Sequence, residues 1–546
     1  MKPQKSLIWS FALAMILGLV IAGSTMSPDA TTTSVIVQGQ DLDSTFRAVR
    51  EAGGEITHEL GIINAVGAEL TDRQLAALES DPQIHRIYQE GTLEVAALAA
   101  PGDWPYVAYP SLVGADTLHD AGITGKSVTV AVLDSGMQYV EELQKDTSVV
   151  WRVKAKYSAV TDTEGKAMDK HGHGSHISSI IFNTDTSDEA VPRYNSVAPD
   201  VQVVAVKAFD NMGLGTYANV IRGLDWILNH KDAYDIRVLN LSFSAEPRSH
   251  YWDDPVNQAV MRLWQAGVVV VASAANRGPD PMTIGVPGNV PYIITVGAMT
   301  DNYTPADGSD DILASFSSTG PTVEGFVKPE VVAPGGHMTA LTRIKSTLAT
   351  EHPEFHDQEK YFTMSGTSQA AAMVTGVVAL VLDADPGLSP DDVKCVLMSS
   401  ARPALDDNGD LAYSIFQQGA GLVNAYDAVH SGGVGCANRG LDVDADLAGT
   451  GHFLGRANRD VDGNYYIEGL DGYIWSDGYI WSDGYIWSDA FIWNDAFIWN
   501  DAFIWNDAFI WNDAFVWSES YIWNDAFVWS ESLTESASVN VWVPQE

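Results

Sequence analysis

Five runs of this chain are apolar almost without interruption: VTVAVL (128–133), VQVVAVK (201–207), VLNLSF (238–243), VVVVASA (268–274) and YIITVGA (292–298). A strand with one wet face alternates apolar and polar residues, so unbroken β-branched runs imply strands covered on both faces. Helical stretches separate them from about 110 to 431, and parallel strands require such crossovers. The expectation is an α/β fold with a mostly parallel central sheet and helices on both faces. In sheets of this kind, ligand chemistry gathers beyond the carboxyl ends of the strands. The 546 residues exceed what one core of roughly 250–300 residues fills, so further modules must flank this body.

The first module is a leader. Lys2 and Lys5 precede an apolar run from Leu7 to Ala22, and small residues, Ala22 and Ser24 among them, close it. The run is short for a membrane span, which predicts a signal peptide over 1–24 and a secreted, extracellular or cell-surface product, with an uncleaved anchor as the competing reading. Export permits one disulfide between Cys395 and Cys436, the only cysteines, but spacing alone does not bring their Cα atoms within reach. Residues 33–96 follow as a small α+β, ferredoxin-like unit. SVIVQ and the runs Ile56 to Leu60, Ile62 to Ala68 and Ile84 to Tyr88 are strand-like, and DLDSTFRAVREAG and TDRQLAALESD have helical spacing behind capping residues, giving strand, helix, strand, strand, helix, strand. The stretch 97–109, small residues and then Pro and Gly, reads as an exposed, cleavable linker.

At the other end, 432–470 turns Gly- and Asp-rich and reads as an acidic linker to a tail, 471–546. From Asp471 to Ser530 the tail is ten hexads of the form D-[GA]-[YF]-[IV]-W-[SN], the ninth opening Glu-Ser instead. Six residues bring a strand back to the same face, whereas a helix would scatter the aromatics, so the repeat is β-prone. In-register stacking at ~4.8 Å would set neighbouring carboxylates against one another by about 0.9 kcal/mol each in bulk water. That favours cation binding, a staggered arrangement or disorder. Two readings stay open: a structural or solubilising extension, or a module that uses its tryptophans to bind a cell surface, polysaccharide or itself. The net charge of −41 excludes nucleic acid and anionic membrane surfaces as partners, because like charges repel at long range.

Three distant segments each set a reactive side chain beside glycine at the edge of a regular element. In VAVLDSG, Asp134 ends an apolar strand; in DKHGHGSHISS, small residues surround His173; in MSGTSQAAAMVTGVVAL, Ser368 opens an apolar helix, where free N–H groups favour a developing anion. This order of acid, imidazole and hydroxyl, with these flanks, resembles the subtilisin-like serine peptidases (subtilases). The likeness spans some 320 residues. It takes in VLNLSFS, GLGTY, VVVVASAANRG with Asn276, TIGVPGNVPYIITVGA, ASFSSTGP, KPEVVAPGG and GAGLVNA. It implies a serine endopeptidase, made as a self-processing zymogen, that hydrolyses protein or peptide substrates and needs no cofactor for catalysis. The implied roles are Ser368 as nucleophile, His173 as general base, Asp134 as the group that orients the ring, and Asn276 as oxyanion donor. It also implies that 33–96 is a propeptide acting as the chain's own inhibitor.

The resemblance further implies that Gly213, Leu214 and Gly215 form one edge, and Ser242, Phe243 and Ser244 the other, between which an extended peptide binds through its backbone. Gly285 matches the base of the primary side-chain pocket, an opening for large apolar groups. Three departures modify this. Ala275 and Ser244 stand where glycine is usual, the methyl of Ala275 narrowing the pocket, and Arg277 at the rim would attract acidic side chains. After the nucleophile, Gln369 replaces the methionine that is often found and Ala372 a proline. His176 is expected to pack within its helix and His171 to lie at the surface or rim. Family members often carry structural Ca²⁺; NTDTSDE (183–189), DDNGD (406–410) and DVDAD (442–446) are the candidate loops, but none completes a Ca²⁺-binding pattern and no ligands are assigned. Two rivals remain. A zinc hydrolase would use H-x-H-x-x-H but leaves Asp134, Asn276 and Ser368 unexplained. A binding or adhesive protein would use the peptidase domain as a scaffold and the repeat tail for surface attachment.

Overall fold

The computed structural model describes residues 32–90, 92–95, 107–187, 193–406, 408–460 and 463–467. The expected leader, the 97–106 part of the expected linker and the hexad tail lie outside the described residues. At the centre is a nine-stranded sheet. Its order is Ile312–Leu313, Ile294–Thr300, Val269–Ser273, Ile236–Leu241, Thr129–Asp134, Gln202–Lys207, Val153–Ser158 and Thr163–Glu164, with Val331–Pro334 also paired to Ile294–Thr300. Seven strands run parallel and the two-residue edge strands antiparallel. Thr129–Asp134, Ile294–Thr300 and Val269–Ser273 are buried along their whole length, as strands sandwiched between helices must be.

The chain first adds strands to one side of Thr129–Asp134 and then, from Ile236–Leu241, to the other. The connections therefore diverge above the carboxyl ends of these two neighbours, which opens the crevice where such sheets bind ligands. Asp134 ends one of these strands, Ser242 to Ser244 follow the other, and Asn276 follows the next, Val269–Ser273. The helix Thr367–Ala384 is apolar and almost wholly buried, and it runs against the strands Ile236–Leu241, Val269–Ser273 and Ile294–Thr300. Its first turn delivers Ser368 to the same crevice.

Residues 32–90 form a separate four-stranded antiparallel sheet, ordered Glu55–Leu60, Ala65–Thr71, Thr32–Gly39, Ile84–Gln89, with helices Leu42–Glu51 and Asp72–Glu79. The element order is the expected one, except that Ile62 and Ile63 lie in a 3₁₀ turn, Gly61–Ile63, and the third strand starts at Ala65. Val35, Val37, Val49 and Leu70 pack among themselves, whereas Ile36, Leu60, Ile62 and Ile63 join the core of the main body. This face docks on helices Tyr217–Tyr234 and Pro255–Gln265. Arg86 pairs with Asp253, Gln38 Nε2 donates to Gln258 Oε1 at 2.8 Å, Arg222 donates to the Thr57 carbonyl at 3.0 Å, and Glu90 accepts the Ala218 N–H at 3.2 Å.

Within 432–467, expected as linker, residues 436–460 and 463–467 are instead a packed strap. The disulfide Cys395–Cys436 fixes its start, a short helix Val443–Leu447 follows, and the antiparallel strands Ala457–Arg459 and Tyr465–Ile467 end it. Its acidity misled: Asp446 is 3% exposed and serves as a buried acceptor for Tyr251 and Tyr292, while Asp442 caps the short helix. Closing a 41-residue separation restricts the unfolded chain, so Cys436→Ser is expected to lower the unfolding free energy by about 4 kcal/mol. Urea denaturation under non-reducing conditions measures this; a loss below about 1 kcal/mol would mean that the strap's other contacts close the loop unaided.

Candidate active site

Asp134 is fully buried, and a carboxylate out of water must be met by donors. It accepts from its neighbour's backbone, Ser135 N, at 2.6 Å, and from His173 Nδ1, which lies 2.8 Å from Oδ1 and 3.0 Å from Oδ2. Glycine flanks both residues because the end of the strand touches the start of the helix His173–Phe182. Gly136 has φ of 112°, and a Cβ on Gly174 would stand 2.1 Å from the Gly136 carbonyl oxygen and 3.1 Å from Asp134 Oδ1.

Asp169, not singled out in the sequence, ties these two ends together. Its Oδ1 accepts from Gly172 N at 2.9 Å and Ser135 Oγ at 3.0 Å, and its Oδ2 from Ser175 N at 2.9 Å and Ser175 Oγ at 2.6 Å. Ser135 Oγ in turn accepts from Gly174 N at 2.9 Å. An acid shortly before a helix start is the capping signal that could have found it.

The three histidines of this segment serve different partners. His171 is not a rim residue: it is 3% exposed, with its ring centroid 6.4 Å from that of His173. Thr347 N and Leu348 N donate to the carbonyls of Lys170 and His171, so the neighbouring chain covers it. Burial pulls its pKa down to about 4, and burial, then the nearby His173, takes His176 to about 3. His176 Nε2 donates to the carbonyls of Met338 at 3.0 Å and Phe362 at 3.1 Å. With His173 Nδ1 turned to Asp134 as well, the imidazoles do not converge as zinc ligands. Among the described residues no group of three or more His, Cys, Asp or Glu side chains gathers for a metal. Of the acidic loops, Asp185 accepts from Lys360 and Tyr361, and Asp406 accepts the backbone N–H groups of Asn408 and Asp410.

Ser368 and Ser242 exchange hydrogen bonds: Ser368 Oγ donates to the Ser242 carbonyl at 3.0 Å, and Ser242 Oγ to the Ser368 carbonyl at 2.8 Å. Asn240 Nδ2 donates to Ser242 Oγ at 2.9 Å and Asn240 Oδ1 accepts from Thr375 Oγ1 at 2.8 Å, a polar line from the strand end to the helix bearing Ser368. Asn276 is oriented by a residue the sequence did not mark. Thr367 donates to its Oδ1 twice, from N at 2.9 Å and from Oγ1 at 2.8 Å. Two donors identify the oxygen end of the amide, so Nδ2 points the other way.

The two expected edges pair with the same segment of this chain. Thr92–Val95 lies antiparallel to Leu214–Thr216, with Glu94 opposite Leu214 and Leu93 opposite Gly215, and antiparallel to Phe243–Ser244, with Val95 opposite Phe243. Gly213, at φ of 77°, turns the chain into its edge and does not join the ladder. At Gly285 an added Cβ would lie 2.9 Å from the Ala245 oxygen, 3.0 Å from Ser244 Cβ and 3.2 Å from Ala275 Cβ, so the expected neighbours do meet there. Ala275 has φ of 94°, a backbone region that L side chains rarely adopt, which is the physical reason glycine suits it. Arg277, expected to attract acids, has its guanidinium 4.0 Å from Glu246 and donates to the Thr283 carbonyl at 3.4 Å.

The family model of the subtilases (Peptidase_S8) matches residues 125–421. Serine protease AprX of Bacillus subtilis (strain 168) is 33% identical over 386 residues, 70% of this chain and 82% of that protein. Subtilisin E of the same organism is 28% identical over 382 residues, 70% of this chain and 84% of its own length. Among solved structures, fervidolysin from Fervidobacterium pennivorans, a keratinolytic enzyme related to subtilisin, superposes with a TM-score of 0.58 at 21% identity. That match covers 74% of this chain and 61% of fervidolysin, and establishes a shared fold.

Gln369, beside Ser368, is fully buried, and neither its Oε1 nor its Nε2 has a hydrogen-bond partner. An unsatisfied buried polar atom costs about 1–3 kcal/mol. Gln369→Met, which keeps the length and removes both groups, is expected to raise the unfolding free energy by about 1–3 kcal/mol. A denaturation series checks it; a neutral or lower value would mean that the amide is satisfied in solution.

Proposed function

The chain belongs to the subtilase family and is a serine peptidase of that type, and from this premise we propose that it cleaves peptide bonds through an acyl-enzyme on Ser368. The observation that carries the reading is the buried Asp134–His173 pair, set at a strand end beside the crevice that Ser368 and Asn276 share. Serine is a weak nucleophile until a base takes its proton during attack. In this reading His173 Nε2 takes the Ser368 proton as Oγ bonds to the scissile carbonyl carbon, while Asp134 holds Nδ1–H and stabilises the imidazolium. Asn276 Nδ2 and the Ser368 backbone N–H donate to the oxyanion, the first with its direction set by Thr367. His173 then protonates the leaving amine, and water, deprotonated by the same ring, releases the acyl group. No step calls for a metal or cofactor.

A fluorophosphonate is expected to label Ser368, as mapped by peptide mass. Ser368→Ala is expected to lose the label and roughly 10⁶ in kcat, and Asn276→Leu to lose 10²–10³; both magnitudes come from measurements within this family. Labelling elsewhere, or full activity in Ser368→Ala, would overturn the assignment.

The same proposal makes residues 33–96 an inhibitor released by cleavage between 97 and 100. Its support is the ladder of Thr92–Val95 in the cleft: Val95 pairs with Phe243, the neighbour of Ser242, whose carbonyl holds the Ser368 hydroxyl. Export is proposed from the leader, and surface, polysaccharide or self-binding by the hexads from their tryptophans. In a host lacking other proteases, Ser368→Ala is expected to remain full length after leader removal; a mature-length product would end the self-processing reading.

Asp225, on the helix the inhibitory module covers, is pushed up to about 6, chiefly by burial, with Glu59 of the module adding to it and a backbone hydrogen bond at Ile62 partly offsetting it. Bare, the carboxyl returns toward its ordinary value of 3.8. The docked state thus holds the proton more tightly, so the module's grip is greatest below about pH 4 and weakens as pH rises through 6, by on the order of 3 kcal/mol. Asp225→Asn is expected to flatten this dependence and to lengthen the lag before full-chain protein becomes active at pH 8 more than at pH 5. An equal lag for variant and parent at pH 8 would remove Asp225 from the release step.

A further inference from the structure

We propose that the C-terminal strap, residues 436–467, sets the width of the pocket that receives the substrate side chain before the scissile bond, with Asp446, His452 and Tyr465 as positioning residues. The inference rests on the peptidase reading above. The base of that pocket is where two segments cross: Ala245 N donates to the Val286 carbonyl at 3.0 Å and Val286 N to the Ala245 carbonyl at 2.9 Å, with Ser244 and Gly285 alongside. Each segment continues into a loop without regular structure, 246–254 on one side and 277–284 on the other. Both loops are braced by the strap.

On the first loop, the Trp252 ring is stacked between His250, at 4.4 Å and 13°, and His452 of the strap, at 4.6 Å and 10°. Its neighbour Tyr251 donates its hydroxyl to Asp446 Oδ2 at 2.7 Å, and Tyr292 does the same at 2.5 Å, while His452 Nδ1 lies 2.9 Å from Oδ1. A buried carboxylate with three partners cannot slide without orphaning one of them. On the second loop, Met282 has φ of 62°, and the strap's Tyr465 hydroxyl lies 3.0 Å from its Sδ. Tyr465 also meets Phe416 edge-on, at 6.4 Å between centroids.

A third contact joins the two. Glu324 Oε1 accepts from Tyr251 N at 3.1 Å and lies 3.2 Å from His250 Nδ1. The Glu324 and Gly325 carbonyls accept from Gly455 N at 2.7 Å and Ala457 N at 3.0 Å of the strap. A Cβ on Gly455 would fall 2.0 Å from the Gly325 oxygen, so backbone rests on backbone. The Gly320 and Thr319 carbonyls, a few residues earlier in the chain, in turn take the N–H groups of Met282 at 3.3 Å and Thr283 at 3.0 Å. Close-packed interiors transmit displacement; loosening the strap must let Met282 and Trp252, and the pocket walls they continue, move apart.

The test compares full-chain parent, Tyr465→Ala, His452→Ala and the conservative Tyr465→Phe on peptides that differ only in having Ala, Leu or Phe before the scissile bond. Tyr465→Ala and His452→Ala are expected to change the Phe-to-Ala ratio of kcat/KM by tenfold or more, chiefly through KM, with kcat on the Ala peptide within twofold of parent and Tyr465→Phe in between. Ratios within twofold of parent in variants with parent-like thermal midpoints would overturn the inference, as would a uniform fall in kcat on all three peptides. Should Tyr465→Ala fail to fold, His452→Ala and Tyr465→Leu decide the same ratio. A parent that cleaves none of the series would instead overturn the peptidase reading itself.

Discussion

The hydrogen bond between Asp134 and His173 constrains this molecule more than any other single contact, because both partners are fully buried and neither has water as an alternative. A carboxylate in that position is tolerable only while its donors stay in place. The surroundings are built to keep them there: Gly174 lets the helix start touch the strand end, and Asp169 and Ser135 lace the two together. The parallel sheet supplies the location. Its strands diverge above Thr129–Asp134 and Ile236–Leu241, and every group the proposed chemistry uses comes from a segment that ends or starts at that opening.

The Asn276 side of the crevice is secured by a different device. Thr367, one residue before Ser368, donates two hydrogen bonds to Asn276 Oδ1, so the position of the hydroxyl and the direction of the amide are set by adjacent atoms of one helix turn. Preorganised donors avoid reorganisation as charge develops. Ser242 connects the same turn to the edge, Phe243–Ser244, that pairs with Thr92–Val95.

Two modules from opposite ends of the chain pack on the main body. The N-terminal sheet covers the helix carrying Asp225, and Thr92–Val95, which follows it in the chain, pairs with both edges of the crevice. The strap touches the main body at Trp252, Glu324 and Met282. Each uses backbone hydrogen bonds together with a few buried polar side chains, contacts that fix direction as well as distance.

The sequence by itself determined the α/β class and the βαββαβ order of the first module, and it nominated Asp134, His173, Ser368 and Asn276. Those signals are local: periodicity reports which faces are covered, and glycine beside a reactive side chain reports close approach. Only the tertiary structure decided that His171 is buried and not at a rim, that Cys395 meets Cys436, that Asp169 and Thr367 hold the site, and that an Asp-rich stretch is a strap and not a linker. The physical reason is that burial and partnership are set by residues far away along the chain. Thr367 is 91 positions from Asn276, Ser242 is 126 from Ser368, and Tyr251 is 195 from Asp446, and no local pattern records which of many aspartates will find a tyrosine in the fold.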